Sequence, residues 1–315
     1  MKVVHVAVGV VLDGRGRVLV ALRPESAHQG GLWEFPGGKC EPGESVEQAL
    51  HRELLEETGI QVQDQTPLCV IRHDYGDKRV LLDVRQVTTF TGTPSGREGQ
   101  PVKWAEIATL DPALFPAANR AIVRRLQLPP TLAITGRAAN EDEFRLRFRR
   151  VLDAAPGIIQ LRDPDIAPSL LLERASWCLP LCRERGIPLL VNAEPALLDA
   201  QLADGIHLTS ARLLAQETPL TDYPNHRGLL VSASCHDAAQ LAHAQNIGVD
   251  LVLLSPVLQT ASHPGAAGLG WNGFQQLAVQ IGLPVYALGG VGPADLDIAH
   301  AHGAAGIAAL SAYWG

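Results

Sequence analysis

Residues 38–60 read GKCEPGESVEQALHRELLEETGI and follow the spacing Gly38-x5-Glu44-x7-Arg52-Glu53-Leu54-x-Glu56-Glu57-x-Gly59-Ile60. Ser45, three residues before Gln48, predicts a capping box, and Gly59 predicts the stop at the other end of a helix. Within it Val46, Ala49, Leu50 and Leu54 fall near one apolar face, while Glu53, Glu56 and Glu57 stand at i, i+3 and i+4 on a second face. Like charges at that spacing repel by roughly 0.2–0.5 kcal/mol per pair. A bound divalent cation removes this cost. Clustered hard oxygen ligands suit Mg²⁺ or Mn²⁺, and Mg²⁺ usually shares its shell with substrate phosphates and water. A solvated acidic helix face is the ordinary explanation of such a triplet. It does not account for the Gly-Gly turn, Glu44 and Arg52 at fixed distances from the acids.

The elements that must carry these residues follow from composition and pattern. The chain has 315 residues, enough for two domains, with 46% hydrophobic and 19% charged residues and a net charge of −7. There is no run of basic residues to grip duplex nucleic acid, although a nucleotide needs only a local basic pocket. The five cysteines (Cys40, Cys69, Cys178, Cys182, Cys235) form no C-x2-C pair, which reads as idle thiols in a reducing compartment. The start, MKVVHVAVGVVLDG, reads as a strand and not a signal peptide, and no apolar run has the length of a membrane span. A cytoplasmic protein with no membrane partner is expected.

Residues 2–12 and 17–22 predict two strands around Asp13-Gly14-Arg15-Gly16, followed by the loop PESAHQGGLWEFPGG and the acidic helix. Strands are expected at 67–74, 79–90 and 102–105, and a helix at 118–127 that Pro129-Pro130 cannot continue. The domain boundary is placed there, giving 1–128 and 129–315. Beyond it, the nearly continuous apolar runs TLAITG, GIIQLRD, PLLVNA, GIHLT, LLVSASC, DLVLLSPV, PVYALGG and GIAALSA alternate with helical stretches. This predicts buried parallel strands in a (β/α)₈ barrel, with a doubly wound open sheet as the alternative.

The acidic segment matches the Nudix box. The flanking pieces AVGVVLDG, Arg23, WEFPGGK, REGQP and FPAAN resemble the MutT branch of that family over most of residues 3–127. The resemblance implies a Nudix fold, a mixed sheet between helices, and a Mg²⁺-dependent (or Mn²⁺-dependent) hydrolase. Its nucleoside triphosphate substrate would be an oxidised purine such as 8-oxo-dGTP, cleaved to the monophosphate and pyrophosphate, which serves nucleotide-pool sanitation, DNA replication and DNA repair. It implies that Glu53, Glu56, Glu57, Glu98 and the Gly38 carbonyl hold metal, and that Glu53 or Glu98 activates the attacking water. Arg52 would steady the glutamates and Glu44 would support them. In this family the Asn at the position of Asn119 reads the base, with the backbone near Phe35. The other reading of Asn119 is a helix cap. Arg23 either contacts phosphate or sugar or is an ordinary exposed arginine. The place of a further substrate-binding arginine holds Lys78 and Arg79. Trp33 is read as core in preference to pocket, and His28 and His73 as surface residues.

Residues 131–313 resemble thiamine phosphate synthase and its TenI relatives, on LAITG, GIIQLRD, VNA, GIHLT, VSASCH, DLVLLSPVLQTASHPG and ALGGVGPADL. The synthase pattern implies an Asn-Asp pair after the third barrel strand and a second metal-binding Asp after the fourth. Here Asn192 is followed by Ala193, and Ala211 stands where the second acid is expected. Arg162 is followed by Asp163 and Pro164 where the pattern has a basic residue, and Leu254-Ser255-Pro256 replaces the TenI histidine. Gly289, Gly290 and Ser311 form a candidate phosphate corner, or the glycines serve a tight turn. Arg162, Ser232 and His263 are expected at the catalytic end. The barrel is read, in order, as a ligand-binding module for a phosphorylated ligand, an enzyme of altered chemistry, or a structural partner. Alternatives for the whole chain are a Nudix hydrolase of ADP-ribose, a dinucleoside polyphosphate or a thiamine-pathway diphosphate, or a thiamine-phosphate protein with an accessory Nudix part.

Overall fold

The computed structural model describes residues 3–195, 202–220, 229–259 and 268–315. The chain divides into two compact units, Met1–Gln127 and Leu128–Gly315.

The first unit runs β1 (Val3–Val11), β2 (Arg17–Leu22), β3 (Trp33–Glu34), β4 (Gly37–Lys39), α1 (Val46–Thr58), β5 (Gln61–Asp74), β6 (Arg79–Thr91), β7 (Val102–Glu106) and α2 (Ala117–Gln127). These form two sheets, ordered β4-β1-β6-β5 and β3-β2-β7, with β1 parallel to β6 and antiparallel to β4. Strand alternation sends β1 to two cores. Ala7 and Val11 meet Leu50 and Leu54 of α1, while Val8 and Val10 meet Ile122 and Val123 of α2. Gly9 gives α1 its approach, because a Cβ there would stand 3.1 Å from Leu54 and 3.2 Å from Leu50. Burying each of those leucines contributes about 1.5–3 kcal/mol. The capping box forms as the sequence predicts: Gln48 N–H donates to Ser45 Oγ at 3.2 Å, and Ser45 N–H to Gln48 Oε1 at 2.9 Å. Gly59 closes the helix in the left-handed conformation, φ 74°. β5 begins at Gln61, six residues before the expected start, because only Val62 of that stretch is buried and register shifts interrupt the alternation.

In the second unit all eight strands close into a parallel barrel, which excludes the open-sheet alternative. They are β8 (Thr131–Ile134), β9 (Ile158–Leu161), β10 (Leu189–Asn192), β11 (Gly205–Leu208), β12 (Leu230–Cys235), β13 (Leu251–Leu254), β14 (Val285–Leu288) and β15 (Gly306–Ala309), the last closing on β8 with Ala309 opposite Ala133. Around them lie α3 (Glu141–Asp153), α4 (Pro168–Glu184), α5 (Ser210–Ala215), α6 (Ala238–Ile247), α7 (Gly270–Ala278), α8 (Leu296–Ala301) and α9 (Ser311–Trp314). Leu132, Ile158, Leu190, Leu251, Leu253 and Tyr286 fill the interior, and the odd-numbered neighbours Ile159, Leu161, Leu189 and Val191 pack outward under α3 and α4. The cysteines are free thiols, and burial pushes Cys182 and Cys235 up to about 12, far from a reactive thiolate. Among the described residues no helix is long and apolar enough to cross a membrane.

Among the polar side chains buried in this unit are Arg174 and His207. Arg174 of α4 donates to Asp163 at 2.8 Å and to Glu141 at 2.6 and 2.9 Å, and its guanidinium carbon lies 4.1 Å from the Phe144 ring centre. His207 of β11 sits between Ser232 Oγ and Ser234 Oγ, each at 2.8 Å. Burial first, then the cations Arg162 and Arg212, lower the His207 pKa to about 3. Removing one partner of a buried pair leaves a stranded charge and costs about 3–5 kcal/mol, whereas replacing both partners together by apolar residues of similar volume is often neutral. Arg174→Met, which strands the buried Asp163 carboxylate, should therefore lower stability in urea denaturation, read by the barrel tryptophans, more than the double variant Asp163→Leu/Arg174→Met does. His207 is neutral when folded, and the unfolded chain takes up its proton below the ordinary pKa of about 6.5. Its contribution is complete above that pH and is lost as pH falls from about 6.5 toward 3, by up to ~1.4 kcal/mol per pH unit. Between pH 7 and 5 the urea midpoint of His207→Gln should fall less steeply than that of the parent.

Candidate active site and the barrel mouth

Arg52 organises the acidic helix. Its Nε and Nη2 donate to Glu44 at 3.0 and 2.9 Å, its Nη1 to Glu53 at 2.8 Å and Glu56 at 3.3 Å, and its Nη2 also to the Lys39 carbonyl at 3.1 Å. The Arg52 hydrogen bond is the main reason that the Glu44 carboxyl titrates below its ordinary range. Glu53 lies flat against Gly38, where an added Cβ would meet its carboxylate at 2.1–2.2 Å. Gly38 itself is held by the β1–β4 ladder opposite Ala7. Helical spacing alone gives Glu53, Glu56 and Glu57 one face, but the structure divides them. Glu53 and Glu56 turn to Arg52, while Glu57 is drawn to the Gly37 N–H at 3.0 Å. Among the described residues no three His, Cys, Asp or Glu side chains converge as a metal cage.

Glu98 reaches this region through a loop that docks on the open end of α1. The last carbonyls of a helix lack partners within it. Here Arg97 N–H donates to Glu57 O at 3.0 Å, Gln100 Nε2 to Glu57 O at 3.1 Å and Ser95 N–H to Thr58 O at 3.0 Å. Gln100 Oε1 also accepts from the Glu98 N–H at 2.9 Å. Burial pushes the Glu57 carboxyl up to about 8, with the charges of Glu34, Glu53 and Glu98 adding to the rise and the Gly37 N–H opposing it. Oxygen donors of one sign, one of them too buried to hold its charge easily, match a hard divalent cation, which reverses the local penalty. The residue types fit Mg²⁺, and the carboxylates would have to turn toward it.

Asn119 lies near the start of α2, nine-tenths buried, and its Oδ1 accepts from Phe35 N–H at 3.3 Å. The cap reading fails because other side chains do that work. Gln29 Oε1 accepts from Ala117 N–H at 3.1 Å, and Tyr75 Oη from Ala118 N–H at 3.4 Å. Gln29 does so from a left-handed backbone, φ 56°, which is uncommon outside glycine. Phe35 is buried and stacks on Phe115 at 5.4 Å. Arg23 is not a free cation, since it pairs with Glu34 and donates to the His28 carbonyl. Lys78 stands 5.6 Å from the Tyr75 ring centre, whereas Arg79 is tied to Asp74 at 2.7 Å. His28 is exposed and His73 partly so, and both set their rings edge-on to Tyr75, at 5.0 and 4.4 Å. Trp33 is partly buried against the core, with the Lys103 ammonium 3.8 Å from its ring centre. Gln29, Glu34, Tyr75 and Gln100 escape a sequence reading, because long-range packing and not spacing gives them their partners.

At the C-terminal end of the barrel, Gln160, Asn192, His207, Ser232 and Ser234 occupy inward strand positions, alternating with the outward-packed Leu161, Val191, Leu208, Ala233 and Cys235. Asp163 turns away from this end into the Arg174 pair. Ala193 is buried in the outer core and Ala211 is the second residue of α5, and as alanines neither offers an oxygen side chain. The Gly289-Gly290 turn has φ values of 95° and 71° and packs on Leu258 and Gln259, which accounts for both glycines as turn residues. Ser311 is exposed at the start of α9. His263 lies outside the described residues.

A family model described as NUDIX domain matches residues 7–125, and one described as Thiamine monophosphate synthase matches residues 131–313. The 8-oxo-dGTP diphosphatase of Escherichia coli (strain K12) is 35% identical over 127 residues, covering 40% of this chain and 98% of that protein. The 8-oxo-dGTP diphosphatase of Proteus vulgaris is 44% identical over 98 residues, covering 31% and 88%. The putative thiamine-phosphate synthase 2 of Aquifex aeolicus (strain VF5) is 29% identical over 188 residues, covering 60% and 99%. The chain thus belongs to the Nudix family over residues 7–125 and to the thiamine monophosphate synthase family over residues 131–313.

Proposed function

We propose that the first unit is a Mg²⁺-dependent nucleoside triphosphate pyrophosphohydrolase that converts 8-oxo-dGTP to 8-oxo-dGMP and pyrophosphate. The observation that carries the specificity is the buried amide of Asn119, freed from capping and oriented by the Phe35 N–H. An amide both donates and accepts. Oxidation at C8 turns purine N7 from an acceptor into an N–H donor while O6 remains an acceptor. The spare lone pair of Asn119 Oδ1 suits that N–H, and its Nδ2 suits O6. An unoxidised purine meets the oxygen with a lone pair, which repels. Similarity to proteins named 8-oxo-dGTP diphosphatase supports the same reading.

Glu53, Glu56, Glu57, Glu98 and the Gly38 carbonyl would hold the metal. Bound there, it would neutralise phosphate charge and make water easier to deprotonate. Arg52 holds Glu53 against Gly38 and lessens its repulsion with Glu56. Glu44 anchors the other side of the same guanidinium. Glu53 or Glu98 takes the proton from the attacking water, whose oxygen bonds to one of the two phosphorus atoms flanking the α–β bridge as the bond from that phosphorus to the bridging oxygen breaks, leaving the monophosphate and pyrophosphate.

Loss of a general base typically costs 10²–10⁴ in rate. Glu53→Gln should lower kcat for 8-oxo-dGTP by about that factor with an unchanged circular dichroism spectrum, and full turnover would remove Glu53 from the centre. Asn119→Ala should reduce the ratio of kcat/KM for 8-oxo-dGTP over dGTP by roughly 5- to 150-fold, the equivalent of about 1–3 kcal/mol for a bidentate base contact. Equal losses on both substrates would make Asn119 a packing residue. Thiamine diphosphate in a phosphate-release assay, and ADP-ribose in an assay for AMP and ribose 5-phosphate, test the other hydrolase readings.

A further inference from the structure

The barrel mouth does not fit the magnesium that the synthase pattern implies, and what stands there is cationic. Arg212 of α5 donates through Nη1 to Asn192 Oδ1 at 2.6 Å and through Nε to Glu194 at 2.6 Å. The residues after Asn192 and before Arg212 are alanines, where metal-binding acids would be expected. Arg162 extends the inward face of β9, and among the described residues its guanidinium makes no hydrogen bond or ion pair. Gln160, two residues earlier on that face, is 1% exposed, and its Nε2 donor has no partner. A buried, unmade hydrogen bond costs about 1–3 kcal/mol. The groups offered to a ligand are therefore donors: the Gln160 amide, the Arg162 guanidinium and the Nδ2 of Asn192, whose Oδ1 Arg212 already occupies. Glu194 offsets one of the two positive charges, leaving an excess of one. His207, neutral between its serines, adds none.

We propose that the barrel binds a phosphate-bearing organic anion in its metal-free form, with the Arg212 guanidinium in place of a divalent cation and Arg162 and Gln160 as direct contacts. Arginine suits this exchange, since its planar fork grips phosphate oxygens and keeps its charge at any physiological pH.

The test is calorimetric titration of the full-length protein with sodium pyrophosphate in EDTA, then in MgCl₂. One saturable site in EDTA that Mg²⁺ does not strengthen is expected. Arg162→Met and Arg212→Met should each weaken it at least tenfold, and Arg212→Lys should recover part of the loss, which a packing role would not allow. Thermal melting checks that the variants fold. Binding that requires Mg²⁺, no binding, or binding that both arginine variants retain overturns the proposal. So does binding that Glu57→Gln abolishes, because that assigns the anion to the first unit, whose hydrolysis is tested separately.

Discussion

The Nudix unit depends on one cation among acids. Without Arg52, α1 would carry Glu53 and Glu56 at a repulsive spacing, with Glu44 across the turn. With it, these carboxylates and the Lys39 carbonyl share one guanidinium. An exposed ion pair contributes little to stability, but a network with bidentate geometry fixes positions. The capping box starts the helix, Gly59 ends it, and the leucine face presses it to β1, so Arg52 sits on a rigid support. Glu57 is the exception. It turns to the Gly37 N–H instead, and burial first, then the charges of Glu34, Glu53 and Glu98, raise its pKa, a penalty that a positive ligand would relieve.

Much of this was legible from residue order. The helix, its caps and its acids follow from local spacing, and local spacing is what a helix reads. The barrel strands were legible because strands buried on both faces must be apolar nearly throughout. Elements with weak local signals were missed. β3 and β4 are two and three residues long within a Gly- and Pro-rich loop, and α7 begins at Gly270 and contains Gly273. The roles of partners were least legible. Nothing in the sequence near Asn119 says that Gln29 and Tyr75 will cap α2 from 88 and 43 residues away. The edge-on packing of His28 and His73 against one tyrosine ring likewise arises only after folding.

The barrel teaches a different lesson. Asp163, next to Arg162, has been drawn into a structural pair with Arg174, and alanines stand at both positions where carboxylates would hold magnesium. The scaffold is retained while the polarity of its mouth is altered, so membership in a family fixes the strands and leaves the chemistry to be argued from side chains.

Gly38 shows how an absent atom can set geometry. The backbone of β4 and the carboxylate of Glu53 occupy adjoining space that even a methyl group would claim. The strand therefore acts as a gauge for the helix: the distance between them is fixed by two oxygen-bearing groups in contact, one from each element. A larger residue at this position would leave the core and the caps intact and still push the two apart. The catalytic region can thus be put out of alignment by a change that a measurement of folding would scarcely notice.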